Sequence, residues 1–179
     1  MKSYSGFIDA ILRAEKLLEK LTPSEPLDWD LGRKIRESDD ATITGGKTIG
    51  VGSSFALVRG GLLYAVDALD PAHAVFQEAS GDLGSYWHGM LHRREADFEN
   101  ARYWFRRAGA QPFFNALHGA ASEVSPDMAR QSNWDPYLFT GQCEQVRHGA
   151  EDPAGEMAKL QRIEFEAIFD YSWRWSEVR

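Results

Sequence analysis

Residues 84–112 read GSYWHGMLHRREADFENARYWFRRAGAQP. Two histidines, five arginines, three acids and two tryptophans fall in two helical segments, which part at Ala96-Asp97-Phe98. On the second segment Phe98, Ala101, Phe105 and Ala108 share one face at about 100° per residue. Asn100, Tyr103, Trp104 and Arg107 share the opposite face. Ala101 and Ala108 are small contacts for helix on helix, and Gly89 lets the second helix approach closely. The stretch reads as a helix-turn-helix, with the rest of the chain packing around it.

Working outward, the pattern stays helical. Phe7, Ile8, Ile11, Leu12, Ala14, Leu18 and Leu21 recur at helical spacing and predict an amphipathic first helix that stops near Thr22-Pro23. Leu27, Trp29, Leu31 and Ile35 suit a short second helix. Phe55–Leu69 is nearly all apolar and suits a buried one. Asp70-Pro71, Ser125-Pro126, Asp135-Pro136 and Asp152-Pro153 each read as a capping residue followed by proline at the first helical position. Helices are expected over 112–121 and 134–146. From Pro153 a last helix should place Leu160, Ile163, Ala167, Ile168, Tyr171 and Trp175 on its core face. No stretch alternates convincingly as a strand. The expected fold is a single all-α domain over residues 1–179.

The segment SDDATITGGKTIGVGSS breaks the pattern. Its Gly46-Lys47-Thr48 invites a phosphate-loop reading, but that motif needs glycine where this chain has Ala41, and Gly50 and Gly52 interrupt the helix that should follow. A loop beside the pocket is the better reading.

At 179 residues, with 43% apolar and 26% charged positions, the chain has the length and composition of one globular domain. Six tryptophans and ten phenylalanines announce an aromatic-rich core or pocket. A net charge of −7 argues against nucleic acid as a general partner, because phosphate backbones need a positive field. A single cysteine, Cys143, allows no intrachain disulfide and reads as a buried inert thiol. No signal peptide and no membrane span are legible, so a cytoplasmic protein without a membrane partner is expected.

Gly89, Asp97, Phe98, Ala101, Phe105 and Ala108 also fall at the spacings of a tetratricopeptide repeat, with Pro112 one place early, so the central unit resembles one such hairpin. Residues 55–115 resemble, in addition, an uncharacterised family of bacteria and fungi. That resemblance rests on Trp87-His88, His92-Arg93-Arg94-Glu95, Asp97, Asn100, Tyr103-Trp104, Arg106-Arg107 and Gly109, with a weaker part at Leu69-Asp70 and His73. Ala96 and Ala101 stand where relatives often carry Gly and Ser. The resemblance implies a shared site but no reaction.

Three chemistries compete for these residues. His88, His92 and Glu95 lie within an arc of roughly 60° on one helix, a spacing suited to a divalent metal or to acid–base work, with His73 or His118 available to complete a ligand set. The same histidines also suit a buried role, hydrogen-bonded to Asp97, Asn100 or a backbone carbonyl. The arginines are expected either to pair with Glu95, Asp97 and Glu99 or to fork onto a ligand's carboxylate or phosphate. Arg94 sits among apolar residues and needs a partner of one kind or the other. Asp67, near the end of an apolar helix, likewise needs a cation or several donors. The leading expectation is a ligand-binding domain for an anionic small molecule or acidic peptide, requiring no cofactor. Its site is drawn from Trp87, Arg93, Arg94, Asn100, Tyr103, Trp104, Arg107, Asp70 and His73. The alternatives are a metal-assisted hydrolase or lyase using His88, His92 and Glu95, and a scaffold whose polar cluster is wholly structural.

Overall fold

The central stretch folds as the hairpin its periodicity predicts. In the structure, a computed structural model describing residues 4–50, 54–152 and 155–176, helices Gly81–Arg94 and Phe98–Ala108 make the most extensive helix–helix contact in the chain. They are the sixth and seventh helices, α6 and α7. A Cβ on Gly89 would stand 2.8 Å from two ring carbons of Phe105, so only glycine admits α7 at this distance. Asp97 caps α7 by accepting from the Asn100 amide at 3.2 Å, and Ala96 makes the turn in the left-handed region at φ 61°.

Around the hairpin the described residues form nine further helices and no β-sheet. In chain order these are α1 (Gly6–Leu12), α2 (Trp29–Glu37), α3 (Asp40–Thr44), α4 (Ser54–Ala65), α5 (Leu69–Glu78), α8 (Phe114–Ser122), α9 (Pro126–Ala129), α10 (Pro136–Arg147) and α11 (Glu156–Ser176). The protein is thus one all-helical domain. The apolar α4 lies at its centre between α5 and α11, and a Cβ on Gly60 would fall 2.5 Å from the Phe76 ring of α5. That close approach explains a glycine inside a buried helix. α5 in turn packs on α6, and this contact brings residues of two helices into the site. No helix among the described residues is long and apolar enough to cross a membrane.

Four expectations are corrected. The first helix ends at Leu12 rather than near Thr22, because Lys16 and Leu18 adopt left-handed backbone at φ 62° and 61°. The carbonyls of Leu18 and Lys20 are satisfied instead by the Gln161 amide at 2.8 and 3.0 Å, and Arg94 also donates to Lys20 at 3.0 Å. The apolar run from Phe55 is broken after Ala65, where Asp67 turns the chain at φ 60°. α5 therefore begins at Leu69, and Asp70-Pro71 lies within its first turn rather than capping it. Ser125 and Asp135 do cap α9 and α10 as expected, with Pro126 and Pro136 following, whereas Pro153 lies outside the described residues.

The third correction concerns the Gly-rich segment. It contains the helix α3, capped by Asp39, and packs against α1 rather than remaining a plain loop. Lys47 lies over the Trp173 ring at 5.1 Å, not at the start of a helix as a phosphate loop requires. The fourth concerns α11. Its buried face runs through Leu160, Gln161, Glu164, Phe165, Ile168, Phe169, Ser172 and Trp173, while Trp175 is 58% exposed. The helix is rotated from the all-apolar stripe because four of its buried positions, Gln161, Glu164, Ser172 and Ser176, are polar residues with internal partners. Ser172 accepts from Trp87 Nε1 at 2.9 Å, and Glu164 and Gln161 are likewise engaged.

Candidate metal centre

Three histidines converge where α5 meets α6. His73 comes from α5, and His88 and His92 lie one turn apart on α6. Each offers a ring nitrogen, and these atoms all lie within 4.8 Å of one another. His88 Nε2 and His73 Nε2 are 3.1 Å apart. Two nitrogens bound tetrahedrally to one zinc-sized ion at about 2.05 Å would be separated by roughly 3.3 Å. The spacing already present is therefore close to that of two ligands on a common centre.

Glu95, the residue that ends α6, decides which nitrogens are free. One carboxylate oxygen lies 2.9 Å from His73 Nδ1, and the other lies 3.1 Å from His92 Nδ1. The first contact has hydrogen-bond alignment; the second is within ion-pair distance but leaves His92 Nδ1 without an aligned partner. An ionised carboxylate accepts only, so the proton of His73 sits on Nδ1 and its Nε2 keeps a lone pair. A carboxylate that orients a histidine in this way is the usual support behind a metal-bound imidazole. Glu95 thus stands behind the rings, rather than in the place of a third ligand.

The electrostatics favour a neutral His88. Burial, then the neighbouring His92 and His73, pushes His88 down to about 4, so its ring carries no charge near pH 7. Burial alone would raise Glu95, but the neighbouring His92 and His73 rings outweigh it and hold the carboxyl below its ordinary range. His88 and His92 are 3% and 6% exposed, and His88 Nδ1 has no hydrogen-bond partner. Ring packing fixes the geometry further. His88 lies parallel to His92 at 4.7 Å and to the Trp104 indole at 4.1 Å. Trp104 is layered in turn under the Arg107 guanidinium at 5.1 Å, with Tyr103 edge-on at 5.5 Å.

The structure thus brings together His73, His88, His92, Glu95 and Trp104, with Tyr103 and Arg107 outside them. The remaining candidates lie elsewhere. Trp87 is fully buried and stacks on Phe76. Asn100 serves the cap of α7 through Asp97. Arg93 and Arg94 are 1% and 0% exposed, and their charges are answered within the fold instead of by a ligand. Arg94 donates to Asp67 and to the Tyr64 carbonyl, with its guanidinium 4.8 Å from the Tyr64 ring centre. Arg93 pairs with Glu164 and lies 4.2 Å from the centre of Phe139. Burial works against the Arg93 charge, but Glu164 more than offsets it and the guanidinium stays protonated. Tyr86 donates to the same carboxylate at 2.7 Å, and Trp134 Nε1 donates to Tyr86 at 2.7 Å. Asp70 is exposed on the wall of a neighbouring cleft. His118 is apart, with Nε2 beside the Met128 carbonyl at 3.1 Å. Cys143 is buried, and burial pushes its thiol up to about 12, which leaves it inert.

Fold and site together define an all-helical protein with a three-histidine, one-carboxylate cluster at a helix junction. Comparison with protein families, with curated proteins and with solved structures gives no match.

Proposed function

We propose that this protein is a divalent-metal-binding helical domain in which His73, His88 and His92 are the ligands and Glu95 orients two of the rings. The observation that carries the reading is the 3.1 Å separation of Nε2 atoms on two different helices, backed by a carboxylate on the far side of one of those rings. Three imidazoles are borderline donors that suit zinc, iron, cobalt, nickel or copper rather than magnesium or calcium. Three protein ligands leave a coordination position for water or substrate, the pattern of catalytic rather than structural sites. Metal-assisted hydrolysis or lyase chemistry in a cytoplasmic protein is the activity class this supports. The hairpin, which carries two of the three ligands, is read as a single tetratricopeptide-like unit on the spacing of Gly89, Phe98, Ala101, Phe105 and Ala108.

Metal analysis of untagged protein, purified without chelators or a metal-affinity step, tests the reading. Near-stoichiometric transition metal is expected, with uptake lost in His92→Asn. Absence of metal together with no uptake from added zinc, cobalt or nickel would remove it. A second reading, an anionic ligand or acidic peptide end held outside the cluster, is favoured by the exposed Arg107 guanidinium layered on Trp104. It predicts ligand loss in Arg107→Ala without change in metal content.

A further inference from the structure

A cleft of about 720 Å³ opens beside the histidine cluster, between α2, the start of α5 and residues 23–26. That volume lies in the range of small-molecule sites. Pro23, Pro26 and Leu69 supply apolar wall, and the Trp29 indole, 73% exposed, offers a flat surface. Glu95 lies on the cleft wall and also holds His73, on the Nδ1 side away from the proposed ligand nitrogens.

The charge on the walls selects the occupant. Asp67 is neutralised by Arg94, and Arg33 is engaged by Asp30 at 2.8 Å and Glu37 at 3.7 Å. Glu25, Asp70 and Arg36 form no ion pair among the described residues, and the remaining acid on the wall is Glu95. Glu25 and Asp70 therefore outnumber Arg36, and Asp30 with Glu37 outnumbers the Arg33 they share. A surplus of negative charge beside an exposed indole suits a cation, through Coulomb attraction and the face of the ring. We propose that this cleft binds a small organic cation, an ammonium group on an apolar or aromatic body. The body packs on Trp29 and the prolines, and the ammonium balances Asp70 and Glu25. Binding in the cleft stands without the metal.

Calorimetric titration of chelator-treated full-length protein with phenethylammonium chloride tests the assignment, with phenylpropionate as an anion of similar shape. Saturable binding of the ammonium is expected, weakened at least tenfold by Trp29→Ala and by Asp70→Asn, with no binding of phenylpropionate. Trp29 and Asp70 are exposed, so circular dichroism should show both variants folded. The assignment is overturned by absence of saturable ammonium binding, by binding that neither variant weakens, or by preferred binding of phenylpropionate that depends on Arg36. Because this titration uses metal-free protein, it reads the cleft alone. A parallel zinc titration reads the histidines, so failure of one assignment is distinguishable from failure of the other.

Discussion

His88 and His73 face each other through their Nε2 atoms at 3.1 Å, although one ring belongs to α6 and the other to α5. If both are ligands and Glu95 only orients, substitutions should fall into two classes. His88→Ala and His73→Asn should abolish stoichiometric zinc binding. Glu95→Gln should weaken it by about 10- to 100-fold, the usual effect of losing a supporting carboxylate. Competition against a zinc-sensitive dye measures all three, and a Glu95→Gln loss as complete as that of His88→Ala would make Glu95 a direct ligand instead.

Ala96 turns the hairpin at φ 61°, a conformation that costs an L-residue roughly 1–2 kcal/mol. Part of that gain is returned when glycine loosens the unfolded chain. Ala96→Gly should therefore stabilise the protein by up to about 1 kcal/mol, read as a raised denaturation midpoint with an unchanged slope. A lower midpoint would show that the Ala96 methyl makes contacts worth more than the strain.

Gly89→Ala acts in the opposite direction. The added methyl meets the Phe105 ring at 2.8 Å, and relief requires α6 and α7 to part. A loss of about 1–3 kcal/mol is expected from overpacking. Because Trp104 rides on α7 and stacks on His88 at 4.1 Å, zinc affinity should fall with it. Unchanged stability would mean that Phe105 swings aside and the helices stay in place.

Glu164 answers Arg93 in the dry interior and also accepts from Tyr86. Glu164→Gln leaves the guanidinium buried without its counter-ion, and a loss of about 3–5 kcal/mol follows. Replacing both partners with apolar residues, as in Arg93→Met with Glu164→Leu, should recover much of it. Urea unfolding of the single and double variants checks this, and a double variant no better than Glu164→Gln would show that the arginine does more than fill space.

Much of this was legible in the letters, and the failures share a cause. The central hairpin, the close approach at Gly89 and the capped starts of α9 and α10 all depend on local spacing, which a sequence displays. Glu164 was hidden although its spacing from Leu160 and Ile168 puts it on their face, because a carboxylate reads as a surface residue until Arg93, far away in the chain, arrives to neutralise it. The left-handed turns at Lys16 and Leu18 were hidden likewise, since their stability comes from Gln161 and Arg94 reaching across the fold. At the site, the helical spacing of His88, His92 and Glu95 is visible, and His73 stands beside His118 as a completion of the metal set and among the residues of the anion site. Choosing it over His118 required the packing of α5 on α6. Trp29 and Arg36 carried no signal, because an exposed side chain gains meaning only from the cleft it lines.

The central claim is that three imidazoles from two helices form one coordination site. Titrating chelator-stripped, untagged protein with cobalt(II) and recording the visible spectrum tests it most directly. The account predicts one equivalent of cobalt per chain, with the intense bands of a low-coordinate site that disappear in His73→Asn. No saturable uptake, or the same spectrum without His73, would contradict it.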